Sequence, residues 1–116
     1  LMADAGLIVI TAFISPYRQD RRRAREIVLE GGHDFVEAFV DAPIEVCEKR
    51  DVKGLYSRAR SGEITEFTGI SAPYETPDNP EIVLQTDRET LQESVARVLE
   101  FVIPRIGLGG EDDVSI

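Results

Sequence analysis

Residues 6–13, Gly-Leu-Ile-Val-Ile-Thr-Ala-Phe, form an unbroken apolar run with a β-branched centre. A strand that faces water on one side alternates apolar and polar side chains, and this run does not alternate. It asks for burial on both faces, as in a parallel sheet covered by helices. Two further runs rich in β-branched and aromatic residues follow, at 35–40 (Phe-Val-Glu-Ala-Phe-Val) and 82–86 (Ile-Val-Leu-Gln-Thr). Helical patterns lie between and after them. Residues 20–29 read as a mostly polar helix with a narrow stripe of Ala24, Ile27 and Val28, stopped by Gly31-Gly32. Pro43 suits a first helical position ahead of 44–50, and residues 54–60 give a short helix closed by Gly62. Thr86-Asp87 is expected to cap a helix over 88–103, where Leu91, Val95, Val98, Leu99 and Val102 recur at helical spacing. Residues 1–5 read as the last turn of an earlier helix with Gly6 as its left-handed cap. Alternating strands and helices give right-handed crossovers, so the expected fold class is α/β, a parallel sheet covered by helices.

At 116 residues the chain accommodates one domain or part of one. The expected domain covers residues 1–106, and the Gly- and acid-rich stretch 107–116 is expected to be a flexible tail. Residues 63–80 carry three prolines, Gly69 and Asn79 without a sustained period, a long loop of the sort that is usually functional. No apolar run approaches the roughly 20 residues that span a bilayer, which argues against a membrane protein. Cys47 is the one cysteine, so no intrachain disulfide forms, and the first residues lack the basic start of a secretory signal. A cytoplasmic location is the expectation. The net charge is −9, yet ten of the thirteen Lys and Arg residues fall between Arg18 and Arg60. So acidic a chain is a poor non-specific ligand for nucleic acid, while a local cationic site for a small polyanion remains open.

In parallel α/β folds ligands sit at the carboxyl ends of strands, here residues 13–18, 40–43 and 85–88. Ser15 follows the first expected strand beside Pro16, with Arg18 close by to neutralise an anion. The same Ser-Pro pair also reads as a simple chain turn. Arg18, Arg22 and Arg25 share one helix face, whereas Arg21 and Arg23 diverge from it, and a solvated face paired to Asp20 and Glu26 accounts for most of them. A denser basic cluster runs through residues 49–60, with Lys53, Tyr56 and Arg60 at helical spacing. It reads either as a surface face or as a lid that brings positive charge over phosphates. Phe67, within Phe-Thr-Gly-Ile, either stacks on a nucleobase or anchors its loop to the core. His33 lies in a Gly-Gly-His-Asp turn and supports no relay to Ser15, and no Gly-rich phosphate cradle occurs.

Read in order, Phe13-Ile14-Ser15-Pro16-Tyr17-Arg18, then Arg50-Asp51-Val52-Lys53-Gly54-Leu55-Tyr56, then Phe67-Thr68-Gly69-Ile70, closely resemble the adenylylsulfate kinase family. The resemblance implies a P-loop kinase-like three-layer fold, truncated at the N-terminus. It implies transfer of the ATP γ-phosphoryl group to the ribose 3′-hydroxyl of adenylyl sulfate, giving phosphoadenylyl sulfate (PAPS). By resemblance Ile14 and Ser15 line the adenylyl sulfate pocket, Ser15 also matching the serine that is phosphorylated in some members. Arg18 is an anion contact, Lys53 reaches the substrate from a lid that includes Tyr56, Arg58 and Arg60, and Phe67 stacks on the substrate adenine. Asp87, Arg88 and Glu89 lie near the adenine of ATP. Family members usually have Gly-Phe where this chain has Glu66-Phe67, which sets a carboxylate beside the substrate site. The family's Gly-x-x-Gly-x-Gly-Lys-Ser/Thr loop and Asp-Gly-Asp-Asn-x-Arg segment have no counterpart in the sequence. The expectation is therefore the C-terminal two-thirds of such a kinase, inactive alone, with the ligands for Mg²⁺ in the N-terminal portion. Expected partners are ATP and adenylyl sulfate, with a homodimer or a sulfate adenylyltransferase as protein partners, and neither nucleic acid nor membrane. A reading of a different class is a non-catalytic nucleotide-binding or regulatory module of a sulfurylase–kinase assembly.

Overall fold

The computed structural model describes residues 2–51 and 53–106, so the acidic stretch at 107–116 lies outside the described residues. In chain order the elements are α1 (Arg18–Glu30), β1 (Ala38–Asp41), α2 (Ile44–Lys49), α3 (Leu55–Arg60), β2 (Ile82–Gln85) and α4 (Leu91–Ile106). The two strands pair in parallel, Ala38 opposite Ile82 and Asp41 opposite Gln85. A parallel pair needs a long crossover, and here α2, α3 and the loop after them supply it. The carboxyl ends of both strands thereby come side by side, followed by Pro43 and α2 on one and a turn at 86–88 on the other. The fold is α/β.

The apolar run at 6–13 departs from expectation. Residues 2–6 form turns, residues 7–17 form neither helix nor strand, and Leu7, Ile8, Val9 and Ile10 are 50–89% exposed. A strand buried on both faces is held by its neighbours rather than by its own propensity, and the run pairs with neither β1 nor β2. Gly6 does take the left-handed conformation expected of it, at φ +81°.

Ile82, Leu84 and Ala59 are the buried apolar residues, so the core centres on β2. One side of β2 receives α4, leaving an apolar groove of about 700 Å³ floored by Val40 and Leu84 and walled by Leu91, Val95, Val98 and Leu99. The radius of gyration, 17.3 Å, exceeds the roughly 13 Å of a compact chain of this length.

Helix boundaries follow local chemistry. Gly54, at φ +68°, opens α3, and Gly62, at φ +87°, follows its end. The last helix starts three residues later than expected. Thr86 does not cap it; the Thr86 amide donates to the Asp41 carbonyl at 3.1 Å and prolongs the strand ladder. The cap is Thr90, whose hydroxyl accepts the Glu93 amide at 3.1 Å while the Glu93 carboxylate accepts the Thr90 amide at 3.1 Å. This reciprocal pair is a capping box, a type of cap worth about 1 kcal/mol. Pro104 does not stop α4, which continues through it to Ile106.

Candidate functional site at the Ser15 corner and the Phe67 loop

The Ser15-Pro16 corner is a conformational outlier, Ser15 having φ +41° in a region that a side chain with a Cβ seldom occupies. Two links hold it to a segment about 60 residues away. The Glu75 amide donates to the Pro16 carbonyl at 2.8 Å, and the Arg18 amide donates to the Glu75 carboxylate at 2.8 Å. Tyr74, the preceding residue, stacks on Phe39 of β1 with ring centroids 6.2 Å apart and interplanar angle 18°. The corner is thus pinned to the loop, and the loop to the sheet. Burial pushes the Tyr74 phenol above its usual range despite the nearby Arg21 charge.

The same loop, further back, ties a knot around Phe67. Its carbonyl accepts the amides of Ile70, Ser71 and Ala72 at 3.1, 2.8 and 2.9 Å, and its own amide donates to the Ser71 hydroxyl at 2.7 Å. Gly69 closes the turn at φ +88°, and a Cβ there would lie 3.0 Å from Ile44 Cδ1 of α2. The Phe67 ring meets Tyr56 of α3 edge-on, with centroids 5.0 Å apart. Tyr56 is in turn held through its amide by Asp51 at 2.8 Å, and burial raises its phenol above the ordinary value. Phe67 and Tyr56 are both half-buried.

Glu66 enters this knot at φ +55°, again the left-handed region. A side chain with a Cβ costs about 1–2 kcal/mol there, and glycine avoids that cost but loses more chain entropy on folding. Glu66→Gly is therefore expected to stabilise the full-length protein by about 0.5–1 kcal/mol, read from a higher urea midpoint at unchanged slope.

The basic residues of α3 and its approach differ in what they have left to offer. Arg58 pairs with Glu63 at 2.8 Å, and Arg60 forms a two-pronged contact with Glu48, its Nε at 2.8 Å. The hydrogen bond from Arg60 holds the Glu48 carboxyl below its usual range. Lys53 is exposed and has no ion-pair partner among the described residues, so its charge is available to an incoming anion. Arg18 is not similarly free. Its Nε donates to the Thr76 carbonyl at 2.8 Å and lies 3.2 Å from Asp78, so part of its guanidinium is engaged by the chain's own loop.

Ile14 is 64% exposed beside the corner. Asp87 and Arg88 lie in the turn after β2, 3.9 Å apart as sequence neighbours, and Glu89 is bound to Arg97 at 2.9 Å on α4. Arg50 joins this region to the end of α2, donating to the Thr86 hydroxyl at 3.0 Å and carbonyl at 2.7 Å. Ser15 and the far end of the Phe67 loop are brought together, and so are Phe67 and the basic α3. Among the described residues no hydrogen bond, ion pair or ring contact joins Ser15 to Phe67 directly.

Sequence reasoning missed a second layer behind the corner. The Glu81 carboxylate accepts the Glu37 amide at 2.6 Å and Arg25 Nη2 at 2.7 Å, and Arg21 Nε lies 3.2 Å from the Glu37 carboxylate. Arg25 also covers the Phe35 ring at 4.9 Å. These groups line a cleft of about 340 Å³ whose arginines are largely charge-compensated. Spacing on a helix cannot reveal this, because the partners lie on residues 37, 75 and 81.

The family model for adenylylsulphate kinase matches residues 1–85. The chain belongs to the adenylylsulfate kinase family. It is 55% identical over 105 residues to the adenylyl-sulfate kinase of Acaryochloris marina, covering 90% of this chain and 50% of the relative. With the Saccharomyces cerevisiae adenylyl-sulfate kinase it shares 57% identity over 103 residues, 89% of this chain and 51% of the relative. The Mycobacterium tuberculosis APS kinase CysC, solved in complex with AMPPNP and APS, superposes with a TM-score of 0.77 at 44% identity, over 84% of this chain and 56% of that one. The chain thus spans about half the length of the curated relatives it matches, rather than the expected two-thirds. Against this family the α/β fold and the parallel pairing of β1 with β2 are as the motifs implied. No described helix is long and apolar enough to cross a membrane.

Proposed function

We propose that the full-length protein containing this chain transfers the γ-phosphoryl group of ATP to the 3′-hydroxyl of adenylyl sulfate, yielding PAPS and ADP. The observation that carries this reading is the fixed Phe67 knot, with Lys53 exposed and in no ion pair among the described residues, within a chain that belongs to the adenylylsulfate kinase family. A rigidly held aromatic ring offers a stacking face for an adenine, and the free ammonium offers a counter-charge for the sulfated phosphoanhydride. Ile14 and Ser15 supply the wall of the acceptor site, and the left-handed Ser15 backbone sets that wall's direction. In this reading Glu66, the residue before Phe67, brings its carboxylate to the acceptor site. Asp87, Arg88 and Glu89, following the carboxyl end of β2, are the residues of this chain nearest in role to the ATP adenine.

Phosphoryl transfer is catalysed chiefly by positioning and by charge stabilisation, and in this reading the chain contributes mainly to the acceptor side, with residues 87–89 toward the ATP adenine. Among the described residues no cluster of three or more His, Cys, Asp or Glu side chains could hold a metal ion. The activity test uses the full-length protein with ATP and adenylyl sulfate. PAPS and ADP in equal amounts are the expected products, and their absence from a well-folded preparation rejects the assignment. Calorimetric binding of adenylyl sulfate without turnover would instead favour the non-catalytic nucleotide-binding module.

A further inference from the structure

Arg21 stands apart from the other arginines of α1. Its side chain is 12% exposed, against 44% for Arg18 and 28% for Arg25. All three nitrogens of its guanidinium are used. Nη1 donates to the Ser15 carbonyl, Nη2 donates to the Glu75 carbonyl, and Nε lies 3.2 Å from the Glu37 carboxylate. The face of the group lies 5.5 Å from the centroid of the Tyr74 ring. One planar cation therefore joins α1, the Ser15 corner, the Tyr74-Glu75 segment and the residue leading into β1.

We infer that Arg21 is a positioning residue, which fixes the Ser15 corner against the loop carrying Phe67 and so sets the geometry of the acceptor site. The inference rests on the proposed function for the identity of the acceptor. Three observations carry it. Ser15 holds a backbone conformation that persists only where its surroundings impose it, and Arg21 grips the carbonyl of that residue. The second prong grips a segment whose amide already bonds to Pro16, so corner and loop are locked at two successive peptides. Glu37 balances the charge, each nitrogen is engaged within the chain and the side chain is only 12% exposed, so Arg21 is turned to the chain's own groups. Its action on the acceptor is through Ser15 and Glu75.

The chemistry requires arginine. A fork of fixed geometry spans two carbonyls and a carboxylate at once, whereas a lysine ammonium carries the charge without the span. Arg21→Lys in the full-length protein is expected to raise KM for adenylyl sulfate at least 10-fold while KM for ATP stays within 2-fold. Arg21→Gln should behave alike, and Arg23→Ala, on the exposed face, should change neither constant. Equal loss in both constants, or a lower melting temperature with both constants intact, overturns the inference. Amide hydrogen exchange supplies a readout independent of turnover. Faster exchange of the Glu75 and Arg18 amides in Arg21→Lys, by 10-fold or more, is expected, and unchanged protection of both overturns the clamp. Should the unsubstituted protein convert no adenylyl sulfate, the functional reading fails while the exchange experiment still decides on Arg21.

Discussion

Phe67→Ala in the full-length protein is expected to lower kcat/KM for adenylyl sulfate by about 5- to 150-fold, the cost of about 1–3 kcal/mol of base stacking. Four backbone hydrogen bonds of Phe67, three to its carbonyl and one from its amide, remain available to alanine, so the knot survives and the ring alone is removed. Phe67→Leu separates the two roles that an aromatic plays in such a loop. Leucine keeps apolar contact with Tyr56 but offers no π face to an adenine. A loss of kcat/KM shared by both variants, with melting temperature restored only in Phe67→Leu, supports stacking. Restored kcat/KM in Phe67→Leu would make the ring an anchor and remove it from the acceptor site.

The second large effect is on stability. Glu81→Ala is expected to destabilise the full-length protein by about 1.5–3 kcal/mol, because it strips a charge-assisted partner from Arg25 and leaves the Glu37 amide without its acceptor. Urea denaturation at neutral pH checks it, and a change within experimental error would mean that water replaces the carboxylate at no cost. The pH dependence has a definite sign. Burial pushes the Glu81 carboxyl upward, but the hydrogen bonds from Arg25 and the Glu37 amide outweigh it and hold the group below its usual range. The unfolded chain therefore takes up the proton first. The stabilisation is full above the ordinary carboxylate value and is lost as pH falls through the lower folded value. Glu81→Gln should accordingly show a shallower acid limb than the unsubstituted protein.

The sequence made some of this legible. Gly54 and Gly62 bracket α3 because only glycine takes their backbone angles cheaply, and the two short strands emerge within two or three residues of their expected ends. Thr90 and Glu93 spell a capping box, yet Thr86-Asp87 offered an equally good cap three residues before the periodic stretch; the Asp41 carbonyl and Arg50 decide between them. The run at 6–13 departs from its local pattern for a related reason, since strand pairing depends on neighbours that such a pattern does not contain. At the site, Lys53 and Phe67 stand out through type and spacing. Arg21 does not, because two of its acceptors are main-chain carbonyls, and any residue in those places would present the same oxygen.

Among the described residues, 8–14 make no backbone hydrogen bond, and Ile10 is 89% exposed. Uncharged, proline-free, β-branched peptide with its amides unsatisfied is a template for strands from other molecules. At high concentration the isolated 116-residue chain is expected to aggregate through this stretch, which thioflavin fluorescence of the chain against Ile10→Lys checks. A gatekeeper charge at position 10 would lengthen its shelf life without touching the Phe67 knot.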